Sequence, residues 1–242
     1  MGNALLAIGA TEWKLLIRNR TVAFSATALP LVMGVFLAYS RPAEGGWAMT
    51  VALQLLAVLG FTVYFTTSTA LTSRREDLYL KRLCSAEPAP VVVLAGMLVP
   101  TAVLGVVQSA VVLGLSAAFG APLGGNPLLL VVAVAGGLVM CLLAGVATSG
   151  RTSTAEQAQI TTLPFFFAMF GGALWASVSA GGTWAALLLP GAAVAELVRL
   201  SMTPQDWTAQ VNAALPAVLA LLGWVLLCGV AARGWFRWDP RA

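Results

Sequence analysis

The sequence predicts an all-α polytopic membrane protein. It has six transmembrane helices, an N-terminal amphipathic interfacial helix, a cytoplasmic helix between spans 2 and 3, and re-entrant outer helices between spans 5 and 6. Three observations carry this. The 242 residues are 60% hydrophobic and 9% charged, with a mean hydropathy of +0.91, whereas soluble domains are about a quarter charged. Six apolar stretches approach the about 20 residues that a helix needs to cross a hydrocarbon core of about 30 Å. Finally, Lys and Arg alternate between the ends of those stretches as a membrane topology requires.

The spans read as 21–40, 47–72, 90–119, 127–149, 158–179 and 212–232. Ahead of them Glu12, Lys14, Arg18 and Arg20 occupy the first 20 residues without a small-residue cleavage site, so span 1 reads as a retained anchor. Residues 4–18 place Leu6, Trp13, Leu16 and Ile17 on one helical arc and Thr11, Lys14 and Arg18 on another, the pattern of a helix lying along a membrane surface. A charged leader that merely orients span 1 is the other reading. Span 1 holds Pro30 and Gly34 and span 3 holds Pro100, tolerable where neighbours satisfy the freed carbonyls. "SRPAEGG" and "GAPLGGNP" are outer turns. Between spans 5 and 6, Trp184–Leu189 is too short to cross, Pro190-Gly191 breaks it, and a helix-like stretch follows to Met202. The segment 183–205 therefore reads as helices that dip into the outer leaflet and return. Glu196 and Arg199, three apart, share a face on which they could pair.

With the N-terminus inside, the inner ends carry Lys14, Arg18, Arg20, Arg74, Arg75, Lys81, Arg82, Arg151, Arg233, Arg237 and Arg241, against Arg41 and Arg199 outside. Eleven against two places both termini in the cytoplasm of a multi-pass cell (plasma) membrane protein. A seventh crossing would expose the C-terminal arginines to the outside. The net charge of +4 is thus topological and implies no nucleic-acid partner.

Several chemistries are excluded. The chain has no histidine, so it has neither a His-based metal site nor a Ser-His-Asp arrangement. Its two lysines, Lys14 and Lys81, follow no G-x-x-x-x-G loop, so it forms no Walker A nucleotide site. The span centres lack Asp, Glu, Lys and Arg; Gln54, Gln108 and scattered Ser and Thr are their main polar groups. That weighs against an ion-coupled carrier, whose ionisable groups sit at mid-membrane, although broken helices that bind sodium through carbonyls keep the alternative open. Cys84, Cys141 and Cys228 lie far apart and read as small apolar residues. No metal or cofactor bound by this chain is expected.

Against this background "TALTSRREDLYLKRLCSAEPAP" concentrates Arg74, Arg75, Glu76, Asp77, Lys81, Arg82 and Glu87 between two spans. On a helix over 74–84, Arg74, Arg75, Lys81 and Arg82 share an arc interrupted by Leu78, with Tyr79, Leu80, Leu83 and Cys84 opposite, interrupted by Glu76. Asp77 precedes Lys81 by four, the favourable order for a helical ion pair, and Pro88 and Pro90 end the helix. The cations either anchor the spans to anionic headgroups, at about 1 kcal/mol each, or belong to a helix that docks into a soluble partner. Glu76 and Asp77 favour docking, since acids gain nothing from an anionic surface.

At these residues the chain resembles the ABC-2 type permeases of ATP-binding-cassette exporters, a group of drug-resistance and lipid or polysaccharide exporters. "EWKLLIRNR", "RREDLYLKRLCSAEPAP" and "TSTAEQAQITTLPFFFAMFGGALW" carry the resemblance, the last with Ala155, Ala158, Pro164, Gly171 and Gly172. Relatives often have a glycine where Asp77, Leu78 and Tyr79 stand here. The resemblance covers nearly the whole chain. It implies a single transmembrane domain over 1–242, with an interfacial helix at 1–20, a coupling loop at 73–88 and an outer re-entrant segment at 183–205.

It further implies that Arg74, Arg75, Glu76, Asp77, Lys81 and Arg82 contact an ABC-type ATPase, present in two copies and holding ATP and Mg. Membrane lipid and a second permease, identical or similar, are the other partners. A substrate route would run at the permease–permease interface along spans 2 and 5, with Phe165, Phe166, Phe167, Met169 and Phe170 as apolar contacts or, alternatively, as packing and lipid-facing residues. The resulting expectation is a non-enzymatic exporter subunit for a hydrophobic or amphiphilic compound such as a drug, natural product or lipid-linked molecule. An ion-coupled secondary carrier and a non-transporting scaffold or sensor are the alternatives.

Overall fold

The computed structural model describes residues 2–18, 20–40, 46–76, 90–123, 125–179, 184–204 and 206–236. Its helices are α1 (Gly2–Arg18), α2 (Arg20–Tyr39), α3 (Gly46–Glu76), α4 (Pro90–Ala118), α5 (Pro127–Arg151), α6 (Ala155–Val178), α7 (Ala192–Met202) and α8 (Trp207–Trp235). A 3₁₀ turn at Ala186–Leu188 precedes α7. Helix starts follow the local chemistry. The Asn126 side chain accepts from the Leu128 N–H at 3.2 Å with Pro127 in the first turn of α5, and Thr154 caps α6 through the Gln157 N–H.

Among the described residues five helices, α3, α4, α5, α6 and α8, are long and apolar enough to cross a membrane. The chain is a multi-pass, all-helical membrane protein. The first of the six expected spans falls on α2, whose apolar stretch Ala26–Tyr39 is shorter than those five.

Side-chain bonds and close approaches order the helix ends. Arg74 reaches Glu12 of α1, Arg75 reaches Ser149 and Thr152 at the end of α5, and Glu76 reaches the first residue of α6. A Cβ at Gly150 would collide with the Trp235 backbone, so α5 and α8 also finish together. The basic ends expected on one side therefore meet at one end of the bundle. At the opposite end Asn126 N–H donates to the Ser201 carbonyl at 3.0 Å and Gln210 Nε2 to that of Thr203 at 2.5 Å.

Of these five spans α3 is the most enclosed and α8 the least. Val51, Leu55, Leu56, Leu59 and Val63 of α3 are fully buried against α5, α6 and α7. Close approach relies on small residues, the usual device between membrane helices: a Cβ at Gly145 of α5 would lie 2.8 Å from Thr67. α7 is nearly all buried and starts half-way along its neighbours. Gly191, at φ 87°, abuts the Met169 carbonyl, and a Cβ at Gly137 would meet Val194 at 3.3 Å. The Pro190-Gly191 break is thus where the chain turns back inside the bundle, because a side chain at Gly191 would be strained and crowded. Glu196 and Arg199 pair in bidentate fashion, at 2.6 and 2.9 Å.

α2 is held by two polar relays. Pro30 lacks the N–H that would serve the Ala26 carbonyl, and Gln108 Nε2 of α4 supplies a donor there at 2.9 Å. The Thr62 hydroxyl of α3 lies 2.7 Å from that carbonyl and 2.6 Å from Gln108 Oε1, and its single proton serves one of them at a time. Nearer the opposite end, Ser116 of α4 donates to Gln54 Oε1 of α3, while Gln54 Nε2 donates to the Gly34 carbonyl, both at 2.6 Å. Gln54 and Gln108, the two amides that the sequence places inside the spans, both have partners.

Candidate functional site along α3

The last turn of α3 joins three other helices. Arg74 forms a two-pronged pair with Glu12, Nε to Oε1 at 3.3 Å and Nη2 to Oε2 at 3.0 Å. Arg75, 1% exposed, donates from Nη1 to the Ser149 carbonyl and from Nη2 to the Thr152 carbonyl, each at 2.7 Å. Those oxygens belong to the end of α5, where unpaired carbonyls and the helix dipole attract a cation. The exposed Glu76 accepts from the Ala155 N–H at 3.2 Å, at the opposite, electropositive pole of α6. One turn thus ties α1, α5 and α6 to α3.

This changes the picture drawn from the arginine-rich window. Residues 74–76 are the last turn of α3, which runs on from span 2, and do not begin a separate helix. Adjacent helical side chains diverge by about 100°, so Arg74 and Arg75 separate, one toward α1 and the other into the α5 terminus. Both are engaged within the chain. Asp77, Lys81 and Arg82, with the rest of the expected coupling helix, lie outside the described residues. In α1 it is Gly9 and Glu12 that face inward, whereas Trp13 is 38% exposed and Lys14 exposed.

Half-way along α3, Val58–Phe65 is π-helical, a local widening common at functional sites. Gly60 makes room for the Phe166 ring, since a Cβ there would meet it at 2.7 Å. Phe61 packs against Phe166 with ring centroids 4.7 Å apart and Tyr64 against Phe165 at 5.0 Å, both pairs tilted. The five α6 residues expected on a substrate route diverge. Phe165 lies between Tyr64 and Trp224, Phe166 packs on Phe61 and Phe170, and Phe167 is 65% exposed. Met169 is fully buried beside Cys141.

Only Phe165 of these five lines a cavity of ≈ 590 Å³, between α5, α6 and α8, toward the basic end. Tyr64, whose hydroxyl lies 3.0 Å from Thr148 Oγ1, and Thr161, Trp224 and Trp235 share its wall. These residues escaped the sequence reading. Trp224, Cys228, Ala231 and Trp235 do follow one helical face, a signal available in the sequence but common to any packed span. Among the described residues no group of three or more Asp, Glu and Cys is placed to hold a metal.

A bundle of apolar helices with five segments long enough to cross a membrane defines a multi-pass helical membrane protein. A family model described as ABC-2 family transporter protein matches residues 16–233, and the chain belongs to that family. No individual curated protein matches it significantly.

Proposed function

We propose that this chain is the membrane-spanning permease subunit of an ATP-driven exporter for a hydrophobic or amphiphilic substrate. It works as a dimer with an identical or similar permease, beside two ABC-type ATPase subunits that hold ATP and Mg. α2 is the first of six spans, α1 lies along the inner surface, the segment 183–205 is re-entrant from outside, and both termini are cytoplasmic in the plasma membrane. The observation that carries this reading is the continuity of α3. One helix links the charged turn at Arg74–Glu76 to the π segment whose Phe61 and Tyr64 hold the α6 aromatics.

In this mechanism the ATPases close on ATP and push on residues 77–84. Arg74 and Arg75 pass the displacement to α1 and α5, and α3 passes it to Phe165, Phe166 and the cavity. Arg75 acts as a tether and not as a docking contact, because its guanidinium is buried. The exposed α6 face of Leu163, Phe167 and Leu174, outside the cavity, suits an apolar or amphiphilic cargo at a permease–permease interface. Exchanging the charges in Asp77→Lys with Lys81→Glu should reduce ATP hydrolysis in the reconstituted permease–ATPase complex, without loss of permease folding. Unchanged hydrolysis in that variant would count against residues 77–84 as the coupling element.

A further inference from the structure

The cavity between α5, α6 and α8 has features that transport does not require. It runs along α8 from Trp224 to Trp235, roughly 16 Å at about 1.5 Å per residue, which matches one leaflet of a hydrocarbon core of about 30 Å. It opens sideways, because Leu227, Val230 and Trp235 in its wall are 57%, 71% and 43% exposed. Its deep wall is apolar. Two of its hydroxyls lie nearer the basic end of the bundle, Thr148 on the last turns of α5, 3.0 Å from the Tyr64 hydroxyl of α3, and Thr161 on the first turns of α6.

At that end the exposed Arg151 guanidinium lies over the Trp235 ring, 4.6 Å from its centroid. Trp235 lines the groove, so a cation stacked on its ring stands beside an acyl-length groove and is complementary to a phosphate, and tryptophan is the residue that settles at headgroup depth.

We propose that this groove is a binding site for an anionic glycerophospholipid. One acyl chain lies along Trp224, Leu227 and Ala231, and the phosphate sits beside Arg151 over Trp235. The site is independent of what the permease carries. It would set the tilt of α8 and α6, the two spans least enclosed by the rest of the chain.

The test uses the purified full chain in phosphatidylcholine nanodiscs containing a small fixed fraction of lipid brominated on its acyl chains. That lipid is phosphatidylglycerol in one arm and phosphatidylcholine in the other. The signal is the tryptophan quenching that disappears when Trp224 and Trp235 are both replaced by Phe, so the remaining tryptophans of the eight cancel. Brominated phosphatidylglycerol should quench this component about five-fold more effectively, the enrichment expected from one cation near an anionic headgroup. Arg151→Gln should equalise the two lipids and Arg151→Lys should keep the preference. Gly234→Leu should lower quenching by both, since a Cβ there meets open space within the groove wall and the variant can fold.

Equal quenching in the wild type, or a preference that survives Arg151→Gln, would overturn the proposal. Quenching by neither lipid would overturn it too, and would show that protein, such as a second copy of the chain, covers the groove.

Discussion

Two stretches of α3 hold their neighbours by opposite means. Between Gln54 and Thr62 the bonds are neutral, an amide or hydroxyl to a backbone carbonyl, and they fix α2 and α4 at levels roughly 12 Å apart along α2. At Arg74–Glu76 the bonds are ionic or charge-assisted and run to three other helices. The neutral stretch is buried and carries no charge for salt to screen. The charged turn is buried at Arg75 and partly open at Arg74, whose side chain is 21% exposed. The difference suits a helix fastened along its length and adjustable at one end.

The comparison breaks most readily at Arg75. Arg75→Leu removes both charge-assisted bonds and strands two carbonyls at the α5 terminus, a loss of about 3 kcal/mol. Reversible unfolding in micelles should show it, and a loss below about 1 kcal/mol would mean that the α5 terminus finds other donors.

The neutral stretch should yield less. Thr62→Val should cost about 1 kcal/mol, in the range measured for hydrogen bonds between membrane helices. Combined with Pro30→Ala, which returns an N–H to the Ala26 carbonyl, it should cost less than the two single changes added together. Additive costs in this double-mutant cycle would separate Thr62 from the proline-freed carbonyl.

The smallest effect belongs to the half-open pair. Glu12→Gln leaves Arg74 a neutral acceptor and should cost about 0.5–1 kcal/mol at low salt, and the cost should shrink at about 1 M salt, where screening acts over about 3 Å at the more open Arg74. The Thr62→Val cost should not change with salt. Equal salt sensitivity at both places would remove the distinction between them.

What the sequence disclosed follows the same division. Charges at helix ends are legible because a membrane sorts Lys and Arg, and the described basic ends do gather together. The ends of α4, α5 and α6 fall within a few residues of the apolar runs, and the Pro190-Gly191 break and the Glu196–Arg199 pair are present as read. The inward turn of Arg75 was not legible. Neighbouring arginines look alike in sequence, and only the position of the α5 carbonyls separates them. The π segment leaves no periodic signature, and Gln54 and Gln108 were visible as polar groups whose partners are backbone oxygens that no residue pattern marks. The adjacent α6 aromatics were noticed as a run, but successive helical positions point apart, so one lines the cavity while Met169 packs inside.

The central claim, that ATP acting on a partner reaches the α6 aromatics through α3, is tested most directly with an environment-sensitive fluorophore at Phe165→Cys. The background is Cys84→Ser, since Cys141 and Cys228 are buried. In the reconstituted complex with the ATPase, Mg and a non-hydrolysable ATP analogue should shift the emission, and Asp77→Lys with Lys81→Glu should abolish that shift. Emission that ignores nucleotide but changes when a proton or sodium gradient is imposed on the permease alone would contradict the account.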